Sequence, residues 1–178
     1  MSVIDHFRHS IRVPPSEHLS REGVTLGRRV GATLGKYDLV VTSELPRAIE
    51  TAIAMGYGVD RYATMLGSMM LADTEVDWTL GFRAFATAAK RGGITHHAAQ
   101  SHADLLRSIA ADLPSDGRAL VVSHGGVIEL GVVGLLPDDD YSAWGPVCER
   151  CEGVRLYFDN DHCTGAEIMR IAQLLPTT

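Results

Sequence analysis

Two short apolar runs, each breaking directly into a helix-forming segment, constrain the fold of this chain most. The first is "YDLVVTS", which runs into "ELPRAIETAIAMGYG"; the second is "ALVVS", which runs into "HGGVIELGVVGLL". Short, continuous, β-branched runs bounded by turns suit strands covered on both faces, and strands of that kind sit in parallel sheets flanked by helices. The first helix carries Pro46 in its first turn and glycines past its end, with Ser43 placed to cap it.

The rest of the chain fits the same alternation. Residues 2 to 7 read as a strand, followed by the loop "SIRVPPSEH" with Pro14 and Pro15 as punctuation. "LSREGVTLGRRVGATLG" reads as a helix with Ser20 at its N-cap. Between 60 and 95 two helical patches flank the loop "LADTEVDWTLG"; from Thr95 a helical pattern puts Ala98, His102, Leu105, Leu106, Ile109 and Leu113 on one face. "PSDGR" is a turn, and the C-terminal part reads as a hairpin, "GVRLYF" and "AEIMRIAQL" about a "DNDH" turn. The expected architecture is an α/β three-layer sandwich: a mostly parallel central sheet, helices on both faces and a C-terminal hairpin. No repeat, low-complexity tract or linker divides the chain, so residues 1–178 are expected to form one domain.

The bulk properties narrow the partners. A net charge of −6 argues against non-specific nucleic-acid or anionic-membrane binding. No segment has the apolar length of a membrane span, and the N-terminus lacks the pattern of a secretory leader, so a cytoplasmic location is expected. Three cysteines do not form a disulfide framework.

In open α/β sheets, ligands bind beyond the carboxyl ends of the strands. Three such ends carry reactive or charged residues: Arg8-His9, then Thr42-Ser43 with Arg47 in the following helix, then Ser123-His124 before Gly125-Gly126. If those strands are neighbours, two arginines and two histidines share one crevice. Guanidinium forks match phosphate oxygens in pairs. A neutral, oriented imidazole can attack phosphorus. Fixed donors can carry the transferring charge, so no metal is obligatory.

These blocks resemble the histidine phosphatase superfamily, which includes the cofactor-dependent phosphoglycerate mutases. "FRHS" stands where the family has Arg-His-Gly, and "LSREG" where it has Leu-Thr-x-x-Gly. "SELPRAIETA" matches Ser-x-x-x-Arg-Ala-x-x-Thr-Ala in full, and "VVSHGG" matches the late Ser-His-Gly-Gly block. The resemblance implies a histidine acid phosphatase-like phosphomonoesterase without cofactor. In it, His9 becomes phosphohistidine, Arg8 and Arg47 clamp the phosphoryl oxygens, and His124 stabilises the transition state. A carboxylic acid would protonate the leaving oxygen; Asp73 is the first candidate, then Glu75, then Asp77. Ser10, in place of the usual glycine, and Arg12 are expected to contact substrate, together with Ser43, Gly125 and His97. The substrate is expected to be a phosphorylated small molecule or phosphoprotein. The alternatives are mutase-type phosphoryl transfer, which the short chain disfavours, and a non-catalytic phosphate-binding homologue.

Two other groupings invite a metal and are set aside. His96, His97 and His102 lack a carboxylate or cysteine at ligand spacing, and His102 falls on the apolar face of its helix. "CERC" (148–151) with His162-Cys163 offers only an adjacent His-Cys pair to complete a tetrahedral site, so free thiols are expected there.

Overall fold

A computed structural model describes residues 1–176. Its sheet has six strands in the order β3-β2-β4-β1-β5-β6. In chain order these are β1 (Ser2–Arg8), β2 (Leu39–Thr42), β3 (Arg61–Tyr62), β4 (Arg118–Ser123), β5 (Gly153–Asp159) and β6 (His162–Met169). β3, β2, β4 and β1 pair in parallel, while β5 joins β1 antiparallel and forms the hairpin with β6. The helices are α1 (Arg21–Gly31), α2 (Pro46–Ala54), α3 (Phe82–Lys90), α4 (Gly93–Ala111), α5 (Val127–Leu135) and α6 (Ile171–Leu174). The expected α/β sandwich and hairpin are present.

The two-residue period of the strands sorts their side chains between two cores. On β4, Ala119 and Val121 enter a core with α3, α4 and α5, whereas Leu120 and Val122 enter one with α1, α2 and α6. Val41 and Val40 on β2 divide the same way, as do Ile4 and Phe7 on β1.

Three local features differ from the sequence reading. β3 is only two residues long, too short for a periodic signal. The last residues of the expected hairpin strand turn instead into α6, whose Ile171 and Leu174 pack on the α1–α2 core. α2 is capped at Leu45, with no side-chain bond, rather than at Ser43. Pro46 at the first helical position lacks an N–H, which leaves one fewer donor to satisfy there. Ser20 does cap α1, accepting from Gly23 N at 3.0 Å.

Asp5 is a fully buried charge on β1. Arg118 donates to it at 2.8 Å, Arg155 at 2.6 and 3.1 Å, and the Tyr37 hydroxyl at 2.6 Å. Removing one member of such a set leaves the others desolvated without a partner. Asp5→Ala is expected to cost about 3 kcal/mol of stability, at the low end for a buried pair because both arginines keep some solvent. Urea unfolding of the variant checks it.

Candidate active site

The neighbouring order β2-β4-β1 brings the three marked strand ends together. Their backbones are tied there: His9 N donates to Ser123 O at 2.8 Å, and Ser43 N to Val122 O at 3.2 Å. Arg8 thus ends β1, and Arg47 sits in the first turn of α2. His124 lies between β4 and α5.

His9 is nearly buried and held in one tautomer. Its Nδ1 is 2.7 Å from the Ser10 carbonyl, which can only accept, so Nδ1 carries the proton. That leaves the ring lone pair on Nε2. Nε2 meets Arg150, whose guanidinium donates to it at 2.8 Å. Burial, followed by the charge of Arg150, pushes the His9 pKa down to about 2. The imidazole is therefore neutral and nucleophilic over any ordinary pH.

His124 stands beside it, with ring centroids 5.1 Å apart. The Ser43 hydroxyl and His124 Nε2 share a hydrogen at 2.8 Å, which is why Ser43 is not spent on the helix cap. Burial and then the charge of Arg47 bring the His124 pKa to about 3. Arg8 turns its guanidinium along Gly125, where a Cβ would lie 2.9 Å from its Cζ, and donates to the Cys148 carbonyl at 2.7 Å. Glycine at 125 is thus needed for Arg8 to lie flat. The buried Arg8 Nε, Arg47 Nε and His124 Nδ1 have no partner among the described residues. The two guanidinium N–H groups, Arg8 Nε and Arg47 Nε, are buried donors left open beside the crevice, of the kind an anion would satisfy.

A buried carboxylate holds the walls together. Glu129 accepts from Gly126 N at 2.6 Å and from Cys148 N at 2.7 Å, tying the Gly125-Gly126 turn to the Cys148–Cys151 segment. Burial raises its pKa while these bonds oppose the shift. The same segment returns Cys151 N to Arg8 O at 3.2 Å. All three cysteines are free and buried, and no cluster suited to a metal occurs among the described residues.

The remaining expected site residues divide. Arg12 belongs to the crevice and pairs with Glu17 at 3.4 Å. Ser10 faces inward: its hydroxyl donates to Gly23 O at 2.7 Å, and its N–H donates to Thr51 at 2.8 Å. Its carbonyl orients the His9 ring, while its hydroxyl and N–H are taken up by Gly23 and Thr51. Gly23 allows the close fit, since a Cβ there would run into the Ile11 carbonyl. His97 is exposed near the start of α4 and stacks edge-on with His96, with no bond to the crevice among the described residues. His102 is a core histidine at 3.0 Å from Ser68 O.

The loop carboxylates are also sorted. Glu75 is bound to the start of α4, accepting from Ile94 N, Thr95 N and the Thr95 hydroxyl at 3.2, 2.8 and 2.6 Å. Those bonds hold its pKa below the usual carboxylate range, which suits a helix cap and not a proton donor. Asp77 caps its own turn through Thr79. Asp73 is exposed, with its carboxyl unclaimed among the described residues.

Sequence reading missed Arg150 and Glu17. Arg150 is placed by antiparallel pairing: β5 begins where β1 ends, with Gly153 opposite Phe7, so the residues before β5 reach the site. Glu17 lies in the proline-rich loop and pairs with Arg47 as well as Arg12.

Four buried histidines make the fold acid-sensitive. His6, His9, His102 and His124 have pKa values lowered by burial to about 3, 2, 4 and 3. Unfolded histidines protonate near pH 6.5, so below that pH the unfolded chain binds protons that the native chain refuses. Stability should be full above pH 6.5 and fall towards pH 4, by up to about 1.4 kcal/mol per histidine per pH unit. The raised pKa of Glu129 acts oppositely but only above about pH 4.5, and with one proton. Denaturant midpoints at pH 7.5 and 5.5 test this; equal midpoints would contradict it.

No family model matches the sequence, and no curated protein does. Solved structures do match. A phosphoserine phosphatase from Entamoeba histolytica, in complex with 3-phosphoglyceric acid, superposes with TM-score 0.70 at 16% identity, over 98% of this chain and 100% of that one. A mycobacterial glucosyl-3-phosphoglycerate phosphatase, in complex with VO3, gives 0.64 at 18% identity, over 94% and 98%. A putative alpha-ribazole-5'-P phosphatase from Escherichia coli gives 0.58 at 19%, over 95% and 96%. The chain shares its fold with these phosphatases over nearly its whole length. At such identities the likeness establishes the fold and leaves the chemistry to the residues.

Proposed function

We propose that this chain is a single-domain phosphatase that hydrolyses a phosphomonoester through a phosphohistidine at His9. The observation that carries the reading is the neutral, oriented imidazole facing a crevice of guanidinium groups with unpaired donors. The folds of the matching phosphatases support it.

In the first step the phosphoryl group displaces Arg150 from Nε2 and lies among Arg8, Arg47, Arg150 and His124. Nε2 attacks phosphorus, the N–P bond forms, and the bond to the leaving oxygen breaks. The Ser10 carbonyl stabilises the developing charge on the ring through Nδ1–H. The leaving oxygen takes up one proton. Among the three loop carboxylates, Asp73 alone is free of a competing bond among the described residues and is the candidate donor. Water then attacks phosphorus, giving its proton to the same carboxylate, and the N–P bond breaks. Guanidinium groups meet the phosphoryl charge throughout, so the reading needs no metal.

The test is hydrolysis of an aryl phosphate by the purified protein and by His9→Ala. His9-dependent turnover is expected; turnover that persists in the variant would overturn the assignment. No described helix is long and apolar enough to cross a membrane.

A further inference from the structure

Arg150 reaches His9 from a stretch, residues 144–152, that forms neither α-helix nor strand. The carbonyls of Trp144, Pro146 and Val147 receive no backbone donor among the described residues. Backbone without a ladder takes its course from the side chains that satisfy it. Here one side chain supplies most of what is missing. Arg170, immediately after β6, donates from Nη2 to Trp144 O at 3.1 Å and to Pro146 O at 2.5 Å. Its Nη1 donates to Val147 O at 3.1 Å and pairs with Glu152 at 2.7 Å.

Glu152 closes the other end of the stretch. Its carboxylate accepts from Glu149 N at 3.0 Å and Ile171 N at 3.1 Å, and its carbonyl accepts from Arg8 N at 2.8 Å. Arg150 therefore lies between Val147 and Glu152, both held by one guanidinium, and close to Cys148, which Glu129 holds. Arg170 is itself fixed: its N–H donates to Gln173 at 2.8 Å, and Ile171 and Leu174 beyond it pack on the α1–α2 core. The side chains of Arg170 and Glu152 are only 19% and 11% exposed, which sets this pair apart from solvent-screened surface pairs. The other carboxylate of the stretch, Glu149, is exposed and faces Arg8 at 3.9 Å.

We propose that Arg170 is a positioning residue for Arg150: it fixes the course of residues 144–152 so that the Arg150 guanidinium meets His9 Nε2. Its own bonds end on the stretch and not in the crevice. A planar fork is needed there, because one side chain serves three carbonyls and a carboxylate. A role for Arg150 in turnover rests on the phosphatase reading; the link from Arg170 to the His9 ring does not.

The first readout is the His9 Nε2 resonance at neutral pH in protein labelled with nitrogen-15 histidine, assigned with His9→Ala. Arg150→Ala removes the donor and is expected to move that resonance towards the position of an unbonded ring nitrogen. Arg170→Gln should move it in the same direction. Arg170→Lys, which keeps the charge on Glu152 but loses the fork, should move it less. The second readout is aryl phosphate turnover. Arg170→Gln is expected to lower it by up to about 10²-fold, the scale for a catalytic group misplaced by about 1 Å. In the Arg150→Ala background the same substitution should change almost nothing. Urea unfolding shows which variants are folded; if Arg170→Gln is not, Arg170→Lys carries both readouts. A His9 resonance unchanged in a folded Arg170 variant would overturn the proposal. So would an equal loss of turnover with and without Arg150, because an arginine that only stabilises the fold gives both results. A moved resonance in a protein whose wild type hydrolyses no phosphate ester would sink the phosphatase reading and leave the link standing.

Discussion

Alanine at His9 is expected to lower aryl phosphate turnover by about 10⁴-fold or more, the scale on which removing a covalent nucleophile acts. The size follows from the geometry. Nothing else near the crevice combines a lone pair, a fixed tautomer and a position against the guanidinium groups; His124 shares its Nε2 with Ser43. The change should fall on turnover rather than on anion binding, because Arg8, Arg12, Arg47 and Arg150 remain. Vanadate or phosphate should still bind the variant. The backbone bond of residue 9 to Ser123 O does not depend on the side chain and is expected to persist in the variant, with urea unfolding as the control.

Arg150→Ala is expected to cost about 10²- to 10³-fold in turnover, as the loss of one fixed donor to a developing anion does. It should also move the acid side of the pH profile. Burial is the main reason the His9 pKa is depressed, but the Arg150 charge is the next. Without that charge the imidazole takes a proton more readily, so activity should begin to fall at a higher pH than in the wild type. A purely architectural role for Arg150 would lower turnover without moving that limb. Lysine would keep the charge but lose the planar fork, and should recover the pH profile better than the rate.

The parts of this site that were legible in the sequence lie at the ends of parallel strands. Arg8-His9, Ser43 with Arg47, and His124 each follow an apolar run, and the order β2-β4-β1 makes those ends meet. Ser43 was legible as a residue but not as a partner of His124, because an N-cap signal and a site hydroxyl look alike in sequence. Arg150 was hidden for a topological reason: an antiparallel neighbour presents its beginning, not its end, to the site, and the hairpin pattern does not say which strand it will join. Glu17 was hidden because a loop of Pro14, Pro15 and Ser16 has no period from which to read its direction. Glu75 shows the converse. Its place beside the first expected acid was right for a chemical role, yet the start of α4 supplies three donors that claim it. The Ser10 hydroxyl does not crowd the His9 ring because it is absorbed by the Gly23 carbonyl.

The central claim is a phosphoryl group covalently held on His9. The most direct measurement is the intact mass of the protein quenched in alkali during turnover of an aryl phosphate, followed by peptide mapping. Alkali preserves a phosphohistidine that acid would hydrolyse. The expected result is one added phosphoryl group, located on the peptide containing His9, lost on acid treatment and absent from His9→Ala. Steady turnover by the wild type with a phosphoryl group found elsewhere, or with none on His9 when hydrolysis of the intermediate is rate-limiting, would contradict it.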